Sequence, residues 1–454
     1  MDTAGGRDNP VLRSEQETTI SMTHKIFPDL PQSLASFGPW ADLPPDLLLR
    51  ISNGFGLPLE FYCRVRRVCT TWRSTLPPPI PLLLTVSTAD APTNRPHTIG
   101  RQVYLYPPPP MSTMLLPAES PFPLRPIPDG AQCIGSSNGW MAAITDINSL
   151  TSIFLWNPLT DIKRISLPTL REMHVTKIVF APNPTVSDHV AVMICGFSSL
   201  AYVKEGDLKW MIIDVDTEQR DNLVDLAYAD ADDSDGKTCY CVSIYGDVRM
   251  LRLPDSRRQN PVVESLEIER AGLPFDPAVA YASPYDRASK FTRLKRIFLV
   301  DGSLYQLWRN TTSAVSWSTP GGGRFRMAID DVFVLKYDSE RRPCWDKASD
   351  LGGFAVFIGK NNPVVLRPED AAGVRANCVY WIDEALRNEP MVFDVVTGTS
   401  TLHPCASKAL SRWWRPVCWY FLNDKITSVV EDSGKKRLTT SGEDCVDKSP
   451  TVTN

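Results

Sequence analysis

IFLWNPLTDIKRISLP, residues 153–168, is an apolar run, a turn rich in Asn, Pro and Asp, and a second run that closes in Leu-Pro. Apolar positions at a period of two, broken by turn formers, read as a β-hairpin rather than a helix. The unit recurs as YCVSIYGDVRMLRLP (240–254) and MVFDVVTGTSTLHP (391–404), and without the final proline as RIFLVDGSLYQLW (296–308). Such repetition, imperfect in period but with several strands per unit, is the pattern of propeller blades.

Outward from these hairpins the period-two runs continue. They are LLLTVST (82–88), QVYLY (102–106), GWMAAIT (139–145), KIVFAP (177–182), VAVMICGF (190–197), KWMIIDV (209–215), DVFVLKYD (331–338), GFAVFIG (353–359) and NCVYWID (377–383). Few helical windows interrupt them. We read residues 80–430 as one mainly β domain, for which six or seven blades of about 45–50 residues each suit the length. A sandwich does not usually sustain so many strands.

The 454 residues exceed the ~250–300 at which a single core stops growing, so a second, smaller part is expected. Composition is globular, with 43% hydrophobic and 22% charged residues, and calls for neither membrane nor fibre. A formal net charge of -4 leaves no nucleic-acid footprint. Eleven cysteines without an even framework are expected as reduced thiols, in cytoplasm or nucleus. Residues 1–38 lack periodicity and a secretory pattern and read as disordered, as does the tail 431–454, whose Lys435-Lys436-Arg437 reads as solvated.

The smaller part is residues 39–79. WADLPPDLLLRI (40–51) offers Asp42 as N-cap and prolines 44 and 45 for a first helical turn, with Leu47, Leu48 and Ile51 expected on one face. Phe61, Val65, Val68 and Trp72 then recur at steps of four, three and four, before prolines at 77, 78, 79 and 81 end the pattern. About 40 residues without disulfide or metal cannot bury enough surface to stand alone, so a second surface is expected.

In this order Leu43, Pro44, Leu47, Leu48, Ile51, Val68, Cys69 and Trp72 resemble the F-box, a three-helix motif by which receptors dock on the Skp adaptor of cullin-based ubiquitin ligases, and Trp40 suits its plant versions. In the β domain, GSSNGWMA (135–142), WNPLTDIKRISLP (156–168), GGFAVFIGKNNPVVL (352–366), ANCVYWIDE (376–384) and VFDVVTG (392–398) are similar to the plant KIB-type β-propeller that accompanies F-boxes. Together these resemblances imply the non-catalytic substrate receptor of an SCF-type ubiquitin ligase. Its partners would be the Skp adaptor, through it a cullin, and an unknown protein substrate; no nucleic acid, membrane, cofactor or metal is implied. The eight module residues would carry adaptor binding, and short loops of the propeller would carry specificity. The alternative reading is a scaffold, or a small-molecule-binding or hydrolytic propeller, with a non-functional helical module.

Several motifs carry less than they suggest. Gly135-Ser136-Ser137-Asn138-Gly139 matches G-x-S-x-G, but the chain continues as β, so Asn138 and the glycines are expected in a turn and Ser137 is not expected to be catalytic. Gly353 to Lys360 has the wrong spacing for a phosphate loop and reads as a strand pair turning at Gly359. Asp230, Asp232, Asp233 and Asp235 lack the glutamate that closes a calcium loop. Cys239 and Cys241 share a strand, and we expect their thiols on opposite faces with no shared metal. Trp413 and Trp414 are expected to pack an end strand or helix on the propeller.

Overall fold

The computed structural model describes residues 43–54, 65–66, 68–76 and 82–421, apart from 88–102, 107–121, 124–130, 405–413 and shorter loop segments. Hairpins begin with residues that tolerate left-handed backbone. Asn138 and Gly139 (φ 43° and 82°) and Asp301 and Gly302 (φ 47° and 72°) form two-residue turns whose twist matches that of the flanking strands.

Among the described residues the hairpins build six sheets of four or five strands, here blades 1 to 6. Blade 1 holds β1 (Leu82–Ser87), β2 (Val103–Tyr106), β3 (Phe122–Pro123) and β28 (Trp414–Tyr420). Blade 2 holds β4 (Gln132–Ser137), β5 (Trp140–Ile147), β6 (Leu150–Trp156) and β7 (Ile165–Ser166), with β8 (Leu170–Arg171) paired to β6. Blade 3 is β9 (Val175–Phe180), β10 (Val190–Cys195), β11 (Ser199–Lys204) and β12 (Met211–Asp214). Blade 4 is β13 (Leu223–Asp230), β14 (Lys237–Ser243), β15 (Val248–Arg252) and β16 (Val262–Ser265). Blade 5 is β17 (Leu294–Val300), β18 (Ser303–Arg309), β21 (Val332–Tyr337) and β22 (Trp345–Lys347), with a ribbon of β19 (Val315–Ser318) and β20 (Arg324–Met327) inserted. Blade 6 runs β24 (Val364–Leu366), β23 (Ala355–Ile358), β25 (Cys378–Asp383), β26 (Glu389–Asp394) and β27 (Thr399–Leu402).

Inner strands β28, β4, β9, β13, β17 and β23 touch in that order, and β25 and β26 return to β28. The last strand, β28, pairs antiparallel with the first, β1, so the ring is closed by the two ends of the domain. This is a β-propeller. All four hairpins quoted above are paired strands.

Burial is less alternating than a half-wet strand requires. β25 is buried at all six positions and β10 at five of six. Blade 3 is covered on both faces, so its alternate side chains enter two different cores: Ile178 and Met193 join the cluster between blades 2 and 3, Val179 and Val192 the one between blades 3 and 4. Cys239 and Cys241 correct the expectation of opposite faces. Residues two apart in a strand share a face, and both thiols lie in the second of these clusters.

Helices are few among the described residues: α1 (Pro45–Gly54), α2 (Thr70–Thr75), α3 (Pro277–Ala280) and α4 (Tyr285–Ala288). The last two, unforeseen, bridge blades 4 and 5. Trp40, Asp42, Phe61, most of the acidic run after Asp230, Trp413 and both termini lie outside the described residues.

Candidate functional site

The eight module residues divide into three sets. Pro44 starts α1, its carbonyl accepting from the N–H groups of Leu47 (3.0 Å) and Leu48 (3.1 Å). Cys69 is the N-cap of α2, its sulfur accepting from Trp72 N–H at 3.4 Å, a role that Ser, Thr, Asp or Asn usually fills. Leu48 is buried and forms a small core with Leu76, against which Leu43, Leu49, Val65 and Trp72 pack. The buried Arg66 guanidinium donates to the Leu76 carbonyl and holds the end of α2.

Leu47, Ile51 and Val68 stay outside this core, 46%, 36% and 54% exposed. Leu47 and Ile51 are one turn apart and share the outward side of α1, while Leu48 faces inward. The expected common face of Leu47, Leu48 and Ile51 is therefore split, because neighbours in a helix are about 100° apart. The module presents apolar side chains that its own core does not use.

A second feature occupies the centre of the ring. Between β23 and β24 the turn Gly359-Lys360-Asn361-Asn362-Pro363 reaches other blades. Asn362 N–H donates to Ser136 O on β4 (2.8 Å), and its carboxamide pairs with both backbone groups of Tyr228 on β13 (2.8 and 3.1 Å). A residue from blade 6 that bridges blades 2 and 4 can only sit on the axis of a six-membered ring. Asn361, wholly buried, donates back to Phe357 O at 3.0 Å. The strand pair turning at Gly359 was legible in the sequence; its position in the channel was not.

Beside it, Lys177 on β9 donates to Asp225 on β13 at 2.7 Å, and Asp225 also accepts from Ile297 N–H on β17 at 2.9 Å, with Arg296 at 3.7 Å. Lys177 and Asp225 are buried, so this network ties blades 3, 4 and 5 by charge-assisted bonds.

Between blades 4 and 5 lies a cleft of about 790 Å³ lined by Tyr240, Tyr305, Lys336, Asp338, Arg341 and Asp346, among others. Its charges offset one another: Arg341 stands 3.7 Å from Asp346, and the Lys336 ammonium lies 5.6 Å from the centre of the Tyr305 ring. At its rim the Gly352 N–H, then the Ser349 hydroxyl, hold the Asp350 carboxyl below its usual range. Among the described residues no histidine lines the cleft beside its serines and Cys344. Ser137 ends β4 and the chain turns directly into β5, without the strand-to-helix elbow its motif needs. Among the described residues no three His, Cys, Asp or Glu side chains gather at metal distance.

The model of one family, the KIB1-4 beta-propeller, matches residues 108–396. No curated protein matches the chain. Among solved structures, the β-propeller domain of Nup133 from Vanderwaltozyma polyspora is 8% identical, with 65% of this chain and 73% of that one covered at a TM-score of 0.32. YjhT is 11% identical, with 72% and 94% covered at a TM-score of 0.30.

Proposed function

Because the chain belongs to the KIB1-4 beta-propeller family, we propose that it is the substrate-recognition subunit of an SCF-type ubiquitin ligase, its helical module an F-box that docks on a Skp adaptor. The observation that carries this reading is the outward placement of Leu47, Ile51 and Val68 on a module that already has a core of its own. A small module of this kind gains its second surface from a partner. The cullin is reached through the adaptor, and the transfer chemistry belongs to other subunits, in the cytoplasm or nucleus.

The propeller holds the protein to be modified. Phe197, 73% exposed in the turn after β10, and the partly exposed Tyr245 in the turn after β14 are aromatic anchors of the kind that dominate protein interfaces. Against a small-molecule propeller stands the hairpin at Asn361 and Asn362, which fills the axial position such sites use.

The reading is tested by co-expressing the full chain with a Skp adaptor and passing the mixture over a sizing column, beside a Leu47→Ala/Ile51→Ala variant. Co-elution of the wild type that the variant loses supports it. A folded wild type that elutes alone overturns it.

A further inference from the structure

Hydrogen bonds also pin β28, the strand that closes the ring, to blade 2. Ser136 Oγ donates to Trp419 O at 2.9 Å, and the Tyr420 hydroxyl donates to Gly139 O at 2.8 Å. Beside them, Cys133 of β4 and Cys418 of β28 face each other with sulfurs 3.9 Å apart, although 285 residues separate them in the chain. Both thiols are fully buried, and the strand register shifts at Cys133, next to Gly135, where β4 lies against β9.

We propose that Cys133 and Cys418 form a reversible disulfide that locks the last strand of the propeller to blade 2. The sulfurs must close from 3.9 Å to about 2.05 Å, between two strands already pinned side by side. The pair is electronically unequal: hydrogen bonding from the Cys418 thiol, helped by Gly135 and the Lys360 ammonium, holds Cys133 below the ordinary thiol range, while Cys418 is pushed well above it. A thiolate formed at either sulfur is steadied by the other thiol and has its resolving partner 3.9 Å away.

With a peroxide as oxidant, the thiolate of one cysteine attacks the O–O bond, becomes a sulfenic acid and releases one water once protonated. The sulfur of the other then displaces the sulfenic hydroxyl, which leaves as a second water. Two thiols lose two protons and two electrons, and the peroxide is reduced to two waters. Burial sets the pace. Oxidation waits on opening of the β28 seam and is slower than that of the partly exposed Cys69.

The experiment treats the folded full chain with hydrogen peroxide, alkylates free thiols and maps peptides without reduction. A peptide pair joining Cys133 to Cys418, about 2 Da lighter than the sum of its parts, reversed by dithiothreitol and accompanied by a higher Tm, is the expected result. Cys133→Ser and Cys418→Ser each abolish the pair and the Tm rise. The proposal is overturned if, once Cys69 is oxidised and the seam has been opened by mild denaturant and reclosed, both cysteines remain alkylatable or end as separate sulfinic acids. Mapping of the wild type decides this even if neither variant folds.

Discussion

Truncating the outward residues of the module should weaken adaptor binding without unfolding anything. Leu47, Ile51 and Val68 are 46%, 36% and 54% exposed, which together is somewhat more than one whole apolar side chain left in water. At ~1.5–3 kcal/mol for burying such a side chain, covering them contributes about 2–4 kcal/mol, or roughly a 30- to 700-fold change in Kd. Calorimetric titration of a Skp adaptor into the Leu47→Ala/Ile51→Ala/Val68→Ala variant measures this directly. The control is Leu48→Ala, which opens a hole in the small core and should cost ~2–5 kcal/mol of module stability. That variant loses helical signal as well as binding; the triple variant loses binding alone. If the triple variant binds within about twofold of wild type, a change of only ~0.4 kcal/mol, the outward face is not the docking face and the assignment of these residues is wrong.

Three further predictions concern the propeller. Asp225→Asn removes the carboxylate that the buried Lys177 ammonium donates to at 2.7 Å and should lower stability by about 3–5 kcal/mol in urea unfolding, whereas Lys177→Met/Asp225→Leu should recover much of the loss; no recovery would mean that the bond to Ile297 N–H, rather than charge, is what matters. Gly135→Ala would place a Cβ 2.2 Å from the Ile178 carbonyl of the next blade, so Tm should fall by several degrees, and an unchanged Tm would refute that close approach. His403 lies edge-on to Tyr380 and Trp419, and burial, with the Arg375 charge, lowers its pKa to about 4. The unfolded histidine, near 6.5, takes up a proton that the folded one refuses. The contribution is full above about pH 6.5 and falls away toward pH 4, by ~3 kcal/mol in all. Replacing His403 with Phe should flatten unfolding curves measured between those limits, and an unchanged slope would show that another group titrates there.

The sequence by itself determined the local units. Period-two runs and Asn-Gly or Asp-Gly turns specify hairpins because side-chain alternation and left-handed backbone are properties of neighbouring residues, and the four quoted hairpins are where their turns put them. The helical start at Pro44 and Pro45 was legible for the same reason. What faces what was decided only by the tertiary structure. Leu47 and Leu48 are alike as residues, yet only Leu48 has Leu76 and Trp72 to pack against. Asn362 looks like a turn residue until blades 2 and 4 are brought to it. Cys133 and Cys418 become neighbours solely because the last strand returns to the first blade. The contacts of Asn362 and of the cysteine pair join residues more than a hundred positions apart, and their partners are selected by the closure of the ring rather than by any local pattern.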